Sequence, residues 1–251
     1  MTYVPLHVCS HFSLGMGTAS PFELLDAAAQ FGMQALAMTD TANLYGGITF
    51  YQEAIARGIR PVLGAEAPVR WEEFQIANCR LETSNCQTDA RCGIARVVLL
   101  ARDHAGYENL CRLITLCHLG HGVGGNQNET SPLDSVSGFE RKGRRSNELI
   151  PLSPEQLAAH CEGLFVLSDS PELLEALLPL VARESLAAEI VRPSRSISHE
   201  RALLEFAERN RIRIAGTTAA TMLDPDDIRL HRVLTAIQKN ELVTQLNPAY
   251  L

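Results

Sequence analysis

Short β-branched or apolar runs alternate with longer segments of helical period along almost the whole chain, and strands written this way are buried only when helices cover them. Tyr3 to His7 reads as a first strand. Ser20-Pro21-Phe22-Glu23 then offers an N-cap, a proline at the first helical position and a glutamate at N3, so a helix follows with Leu24, Leu25, Ala28 and Ala29 on its inner face. Leu36 to Thr39 makes a second strand, Ile48 to Arg57 a helix, and Ile59 to Glu66 a third strand. The pattern continues with strand Arg96 to Ala101, helix Gly106 to Leu119, helix Ser153 to His160 and strand Leu164 to Leu167. Helix Pro171 to Arg183, strand Ala188 to Val191, helix His199 to Asn210 and strand Arg211 to Gly216 follow. A last helix starts at Asp224-Pro225-Asp226-Asp227 and runs to about Gln238. About seven βα units without an intervening linker predict an α/β protein with a parallel (β/α) barrel; a doubly wound open sheet is the alternative.

Two stretches break the alternation. Residues 70–94 carry little periodicity, and residues 120–149 are rich in Gly, Ser and Asn, so both are expected to be irregular insertions in a single domain spanning 1–251. The bases Arg141, Lys142, Arg144 and Arg145 in the second are offset by Glu129, Asp134, Glu140 and Glu148. No G-x-G-x-x-G or G-x-x-x-x-G-K-[ST] follows any strand, which weighs against dinucleotide and P-loop binding.

Charge narrows the function classes. The 29 acidic residues exceed the 22 basic ones, giving a formal charge of −7, whereas a domain that grips nucleic acid through its phosphates carries a basic excess. Any DNA role is therefore local or indirect. The seven cysteines, at 9, 79, 86, 92, 111, 117 and 161, cannot all pair within one chain and point to a reducing compartment. MTYVPLHVCSHFSL lacks the basic and apolar regions of a signal peptide, and no apolar run nears the ~20 residues of a spanning helix, so a cytoplasmic location is expected.

In a parallel barrel the working side chains stand at the carboxyl ends of the strands. Here those ends present His7-Val8-Cys9, Thr39-Asp40-Thr41, Gly64-Ala65-Glu66, Glu189-Ile190-Val191-Arg192-Pro193 and Ala215 to Thr221. Three long stretches, QALAMTDTANLYGGITFYQEAIARGIRPVLGAEAPV (34–69), LLARDHAGYENLCRLITL (99–116) and LDPDDIRLHRVLTAIQ (223–238), complete the pattern. Together they resemble the PHP domain (polymerase and histidinol phosphatase), in the version that opens the bacterial DNA polymerase III alpha subunit and its error-prone relatives. The resemblance implies a distorted parallel (β/α) barrel and, in active members, a cluster of metal ions that hydrolyses phosphoesters. Such a cluster takes imidazole and carboxylate ligands from several strands.

Set against the family's motifs, the ligand positions are eroded. The His-x-His motif reads His7-Val8-Cys9, the acidic residue after it corresponds to Met16, and Thr-Asp-His has become Thr39-Asp40-Thr41. A family histidine aligns with Pro193, and Asn-Asp-x-His aligns with Thr218-Ala219-Ala220-Thr221. His7 and Glu66 are the good ligands left, with one thiol at Cys9, too few for a multimetal cluster. The resemblance thus implies a vestigial site formed by His7, Cys9, Asp40, Thr41, Glu66, Pro193, Ala219 and Thr221, with no catalytic residue and no bound metal or other cofactor. His7 and Glu66 would be the ligands if any metal were held.

Other candidates have structural readings beside the chemical ones. His7 fits a hydrogen-bonded core histidine as well as a remnant ligand. Glu66 fits a partner for a nearby base, and Asp40 fits a turn or cap. Cys79, Cys86 and Cys92 are spaced too widely for a zinc knuckle. Asp224, Asp226 and Asp227 suit a helix start, and His118 and His121 suit a helix C-terminus.

The family's nucleotidyl-transfer carboxylates lie in a palm domain beyond the PHP region, so the resemblance implies that residues 1–251 cannot polymerise DNA alone. Three functions remain. The first is a non-catalytic module in DNA replication or repair synthesis that docks a polymerase body or a proofreading exonuclease. The second is a metal-dependent phosphoesterase or 3'-5' exonuclease, and the third a protein-interaction domain without a replication partner.

Overall fold

The computed structural model describes residues 3–71, 93–120, 149–193 and 196–246. Six strands, β1 (Ala35–Thr41), β2 (Arg60–Arg70), β3 (Ile94–Ala101), β4 (Leu164–Ser168), β5 (Leu186–Val191) and β6 (Arg213–Thr217), form one curled sheet in sequence order. The helices are α1 (Pro21–Gln30), α2 (Gly47–Ala56), α3 (His104–Leu119), α4 (Pro154–Ala159), α5 (Pro171–Leu177), α6 (Ile197–Asn210) and α7 (Ile228–Lys239). The architecture is the α/β barrel type expected, with its distortion at β3: the other five strands run one way, and β3 is antiparallel to both neighbours. Strand β2 continues beyond Glu66 to Arg70 because β3 pairs with it down to Arg70↔Ile94, where an irregular segment was expected. The expected insertions otherwise fall largely on residues 72–92 and 121–148, outside the described residues.

The first expected strand is replaced by an irregular segment with one bridge, Val8↔Ala220. Pro5 has no N–H to offer a ladder, which limits regular pairing here. The segment nevertheless joins the sheet's two edges. Ala37 N donates to Pro5 O and Thr39 N to Val8 O on one side; Cys9 N donates to Ala220 O and Ala220 N to His7 O on the other. His7 and Cys9 are thereby carried over the open end of the sheet.

Local signals explain the helices. Ser20 and Glu23 form a capping box on α1, and Ser153 and Gln156 form one on α4. Helix α5 stops at Leu177, short of the expected Arg183, because Pro179 disfavours helical geometry in the residue before it. Inside the curl sit Ala37, Val98, Leu100, Leu167 and Ala187. One outer core packs α3 to α6 on the sheet and a second packs α1 and α2 beside β1.

The loop from Ser10 to Thr18 folds back over the mouth, and Gly17 permits it: a Cβ there would meet Ser10 O at 1.9 Å. That obstacle is backbone and cannot swing aside. Gly17→Ala is expected to cost about 2–3 kcal/mol in urea denaturation, while Gly216→Ala, which has open space around its Cβ, stays within about 1 kcal/mol.

Candidate functional site

Period-two alternation along the strands brings charged residues to one end of the bore. Glu66 pairs with Val98 and Pro68 with Arg96, so Glu66 and Arg96 are diagonal neighbours on one face of the β2–β3 ladder. Arg96 Nη1 lies 2.9 Å from both Glu66 oxygens. Thr41 Oγ1, at the end of β1, donates to Glu66 Oε2 at 2.9 Å. Glu189 on β5 accepts from Thr217 Oγ1 at 2.6 Å and lies 2.7 Å from His7 Nδ1. His7 Nε2 is 3.9 Å from Glu66 Oε1.

All of this is buried, with Glu66 3% exposed and Glu189 5%. Burial alone would strip the charge from His7; hydrogen bonds with Cys9 and Glu189 and the charges of Glu189 and Glu66 outweigh it and raise its pKa well above the usual histidine value. Burial likewise opposes ionisation of Glu66, yet Arg96 and His7 hold it below the usual carboxylate range. Burial pushes the Cys9 thiol up, and Cys9 Sγ points to Thr39 O at 3.7 Å. Glu66 and Glu189 are therefore met by the Arg96 guanidinium and the His7 imidazole, with Asp169, its carboxyl pushed up by burial and by Glu189, also near His7.

The expected site residues divide. His7, Cys9, Thr41 and Glu66 converge, and the ligand atoms of His7, Cys9 and Glu66 lie within 4.8 Å of one another, the one such group among the described residues. Ala219 and Thr221 flank Ala220, which bonds the His7–Cys9 segment; Thr221 O accepts from Thr18 N at 3.0 Å. Pro193 is exposed beyond the end of β5. Asp40 is buried and accepts from Ser10 N, Ser10 Oγ and Ser13 Oγ at 2.7, 2.7 and 2.6 Å, which anchors the mouth loop. Met16 places its Sδ 3.9 Å from Arg96 Nη1 and 3.8 Å from Thr41 Oγ1.

Sequence reasoning did not single out Arg96 or Glu189 as site residues. Each is a charged residue inside an apolar strand, IARVVLLA and LAAEIV, and that anomaly was the available signal. His118 stands in the last turn of α3 with Nε2 2.8 Å from Ala42 O, and Asp224 caps a short 3₁₀ turn at 225–227. Cys79, Cys86, Cys92 and His121 lie outside the described residues.

The set does not fit a multimetal cluster. Both oxygens of Glu66 face Arg96, Nδ1 of His7 faces Glu189, and Met16, Thr41 and Ala219 bring neither carboxylate nor imidazole.

Two outcomes follow. His7 gains partners on folding, so its contribution is fully present below its unfolded value of about 6.5 and is lost as pH rises through the raised folded value. Stability measured by urea denaturation should fall over that alkaline window, and a His7→Gln variant should lack this component of the fall. Asp40→Ala strands the Ser10 N–H and two hydroxyls and should cost about 3 kcal/mol by the same measurement.

Comparison with known proteins supplies the kinship. The family model described as PHP domain matches residues 5–208. The chain is 29% identical over 252 residues to the DNA polymerase III subunit alpha of Thermus aquaticus, covering 95% of this chain and 19% of that protein. It is 33% identical over 165 residues to the error-prone DNA polymerase of Anaeromyxobacter sp. (strain K), covering 66% of this chain and 12% of the relative. The chain thus spans less than a fifth of the length of these two polymerases. Among solved structures, its fold is similar to an amidohydrolase from Chromobacterium violaceum, with TM-score 0.55, 16% identity and 92% and 96% of the two chains covered. It is also similar to a protein assigned as a metal-dependent phosphoesterase from Bifidobacterium adolescentis, with TM-score 0.54, 14% identity and 93% and 96% covered.

Proposed function

Since the chain belongs to the PHP domain family, we propose that it is a non-catalytic PHP module of a DNA polymerase III alpha-like protein, acting in DNA replication or repair synthesis by docking a polymerase body or a proofreading exonuclease. The observation that carries this reading is the charge closure of the mouth, where Arg96 and His7 already meet the carboxylates that a metal would need. DNA contact is then indirect, in keeping with the net charge of −7. The free thiols of Cys9, Cys111, Cys117 and Cys161 accord with a cytoplasmic setting, and among the described residues no helix is long and apolar enough to cross a membrane.

Helix α7 supplies a docking face. Leu230, Val233 and Ile237 are spaced along one stripe of it and are 47%, 43% and 71% exposed, with Leu242 and Val243 exposed just beyond. Such a stripe is covered when a partner's apolar surface packs on it. The domain proposed spans 1–251, with insertions near 70–94 and 120–149.

The phosphoesterase or 3'-5' exonuclease reading is favoured by the closeness of His7, Cys9 and Glu66. Elemental analysis of the purified chain separates the two: well under one Zn, Mn or Fe per chain is expected, and two or more ions lost together with phosphodiester hydrolysis in a Glu66→Gln variant would establish the enzyme reading. Co-purification with a C-family polymerase body tests the docking. A double Leu230→Ser, Ile237→Ser variant should keep its melting temperature yet bind that body at least ~10-fold more weakly, as loss of two central apolar contacts predicts. Unchanged binding by the double variant would remove α7 from the interface.

A further inference from the structure

We propose that Arg96 stands in for a bound cation at the mouth, and that its guanidinium keeps shut a latent site for one divalent metal ion built from His7, Cys9 and Glu66. The proposal rests on the reading of the mouth as non-catalytic, and it assigns the closure to a single residue. Glu66 is 3% exposed, so its charge must be met from inside the protein. Arg96 Nη1 meets it by lying 2.9 Å from each oxygen, the bridging position that a cation would take between them. The guanidinium is held there by more than the carboxylate: the Met16 thioether contacts the same nitrogen at 3.9 Å and lies 3.8 Å from Thr41 Oγ1. Thr41 Oγ1 in turn donates to Glu66. Met16, Thr41 and Arg96 thus form one mutually contacting set around the carboxylate.

The donors behind that set are of the kinds that borderline divalent ions prefer. An imidazole, a thiol and a carboxylate, with ligand atoms within 4.8 Å of one another, suit Zn²⁺ or Co²⁺. Two features keep them from acting. Arg96 brings a permanent positive charge to Glu66, which repels a second cation. Its nitrogen also takes the lone pairs a metal would use. Removing the guanidinium removes both, and leaves a buried carboxylate beside an imidazole and a thiol, the donor set to which a divalent ion can bind.

The test uses the full chain, with Co²⁺ alone as probe, in the wild type and in Arg96→Ala and Arg96→Gln variants. Tetrahedral Co²⁺ shows visible d–d bands, and a bound thiolate adds a ligand-to-metal absorption in the near ultraviolet. The wild type is expected to show neither from Cys9. The variants are expected to bind one Co²⁺ at least ~100-fold more tightly, a ratio read directly from the titrations. Adding Cys9→Ser should abolish the thiolate absorption, which separates this site from the chain's other cysteines. If a variant fails to fold alone, folding restored by Co²⁺ and lost again with Cys9→Ser gives the same support.

Variants that take up no Co²⁺, fail to fold even with it, or keep the thiolate absorption after Cys9→Ser overturn the proposal while leaving the non-catalytic reading in place. Tight Co²⁺ binding through Cys9 in the wild type would overturn both.

Discussion

A carboxylate with almost no access to water survives in a folded chain only where cations and donors reach it, and Glu66 imposes that condition on three separate parts of this fold. Arg96 comes from β3, Thr41 from β1 and His7 from the segment that joins the sheet's edges. Glu189 repeats the device across the bore, fastening His7 to β5 and, through Thr217, to β6. The antiparallel placing of β3 is part of the same arrangement. It sets Arg96 one step diagonally from Glu66 on the inner face, close enough for its nitrogen to bridge both oxygens.

The mouth loop depends on a second buried acid. Asp40 collects one backbone N–H and two hydroxyls from Ser10 and Ser13, which fixes the start of the loop. Ser13 Oγ also accepts from Thr41 N at 3.1 Å, so the loop and the end of β1 hold each other. Met16 then falls over Arg96 and Thr41. Met16, Thr41 and Arg96 are accordingly joined in space around Glu66.

Much of the fold was legible in local chemistry. The capping box at Ser20 and Glu23 and the Asp224-Pro225 start gave helix beginnings near their true places. Pro179 should have shortened α5, and Pro5 should have warned against a regular first strand; both signals were in the sequence and were outweighed by apolar runs. The direction of β3 was illegible because alternation reports which faces are buried and carries no information on strand polarity. The site was half legible for a related reason. Motif positions at strand ends identified His7, Cys9, Thr41 and Glu66, while Arg96 and Glu189 lie inside strands whose neighbours are apolar. Their partners are set by register, and register emerges only when the sheet is assembled.

Helix α7 is tied to the mouth through the loop rather than through the sheet. His231 Nδ1 lies 2.9 Å from Met16 O, Gln238 Nε2 donates to Leu14 O at 3.2 Å, and Thr18 Oγ1 donates to Asp227 at 3.2 Å. The residues that bear the exposed stripe, Leu230, Val233 and Ile237, therefore sit on a helix whose inner face is fastened to the segment carrying Met16. A loose mouth loop would leave α7 without its footing on Leu14, Met16 and Thr18. The loop that carries Met16 to Arg96 thus also holds the helix that bears the stripe. A mouth closed by internal ion pairs and hydrogen bonds holds its loop in place, and the loop in turn fixes the helix on which the apolar stripe is displayed, so the stripe is presented at little cost in ordering.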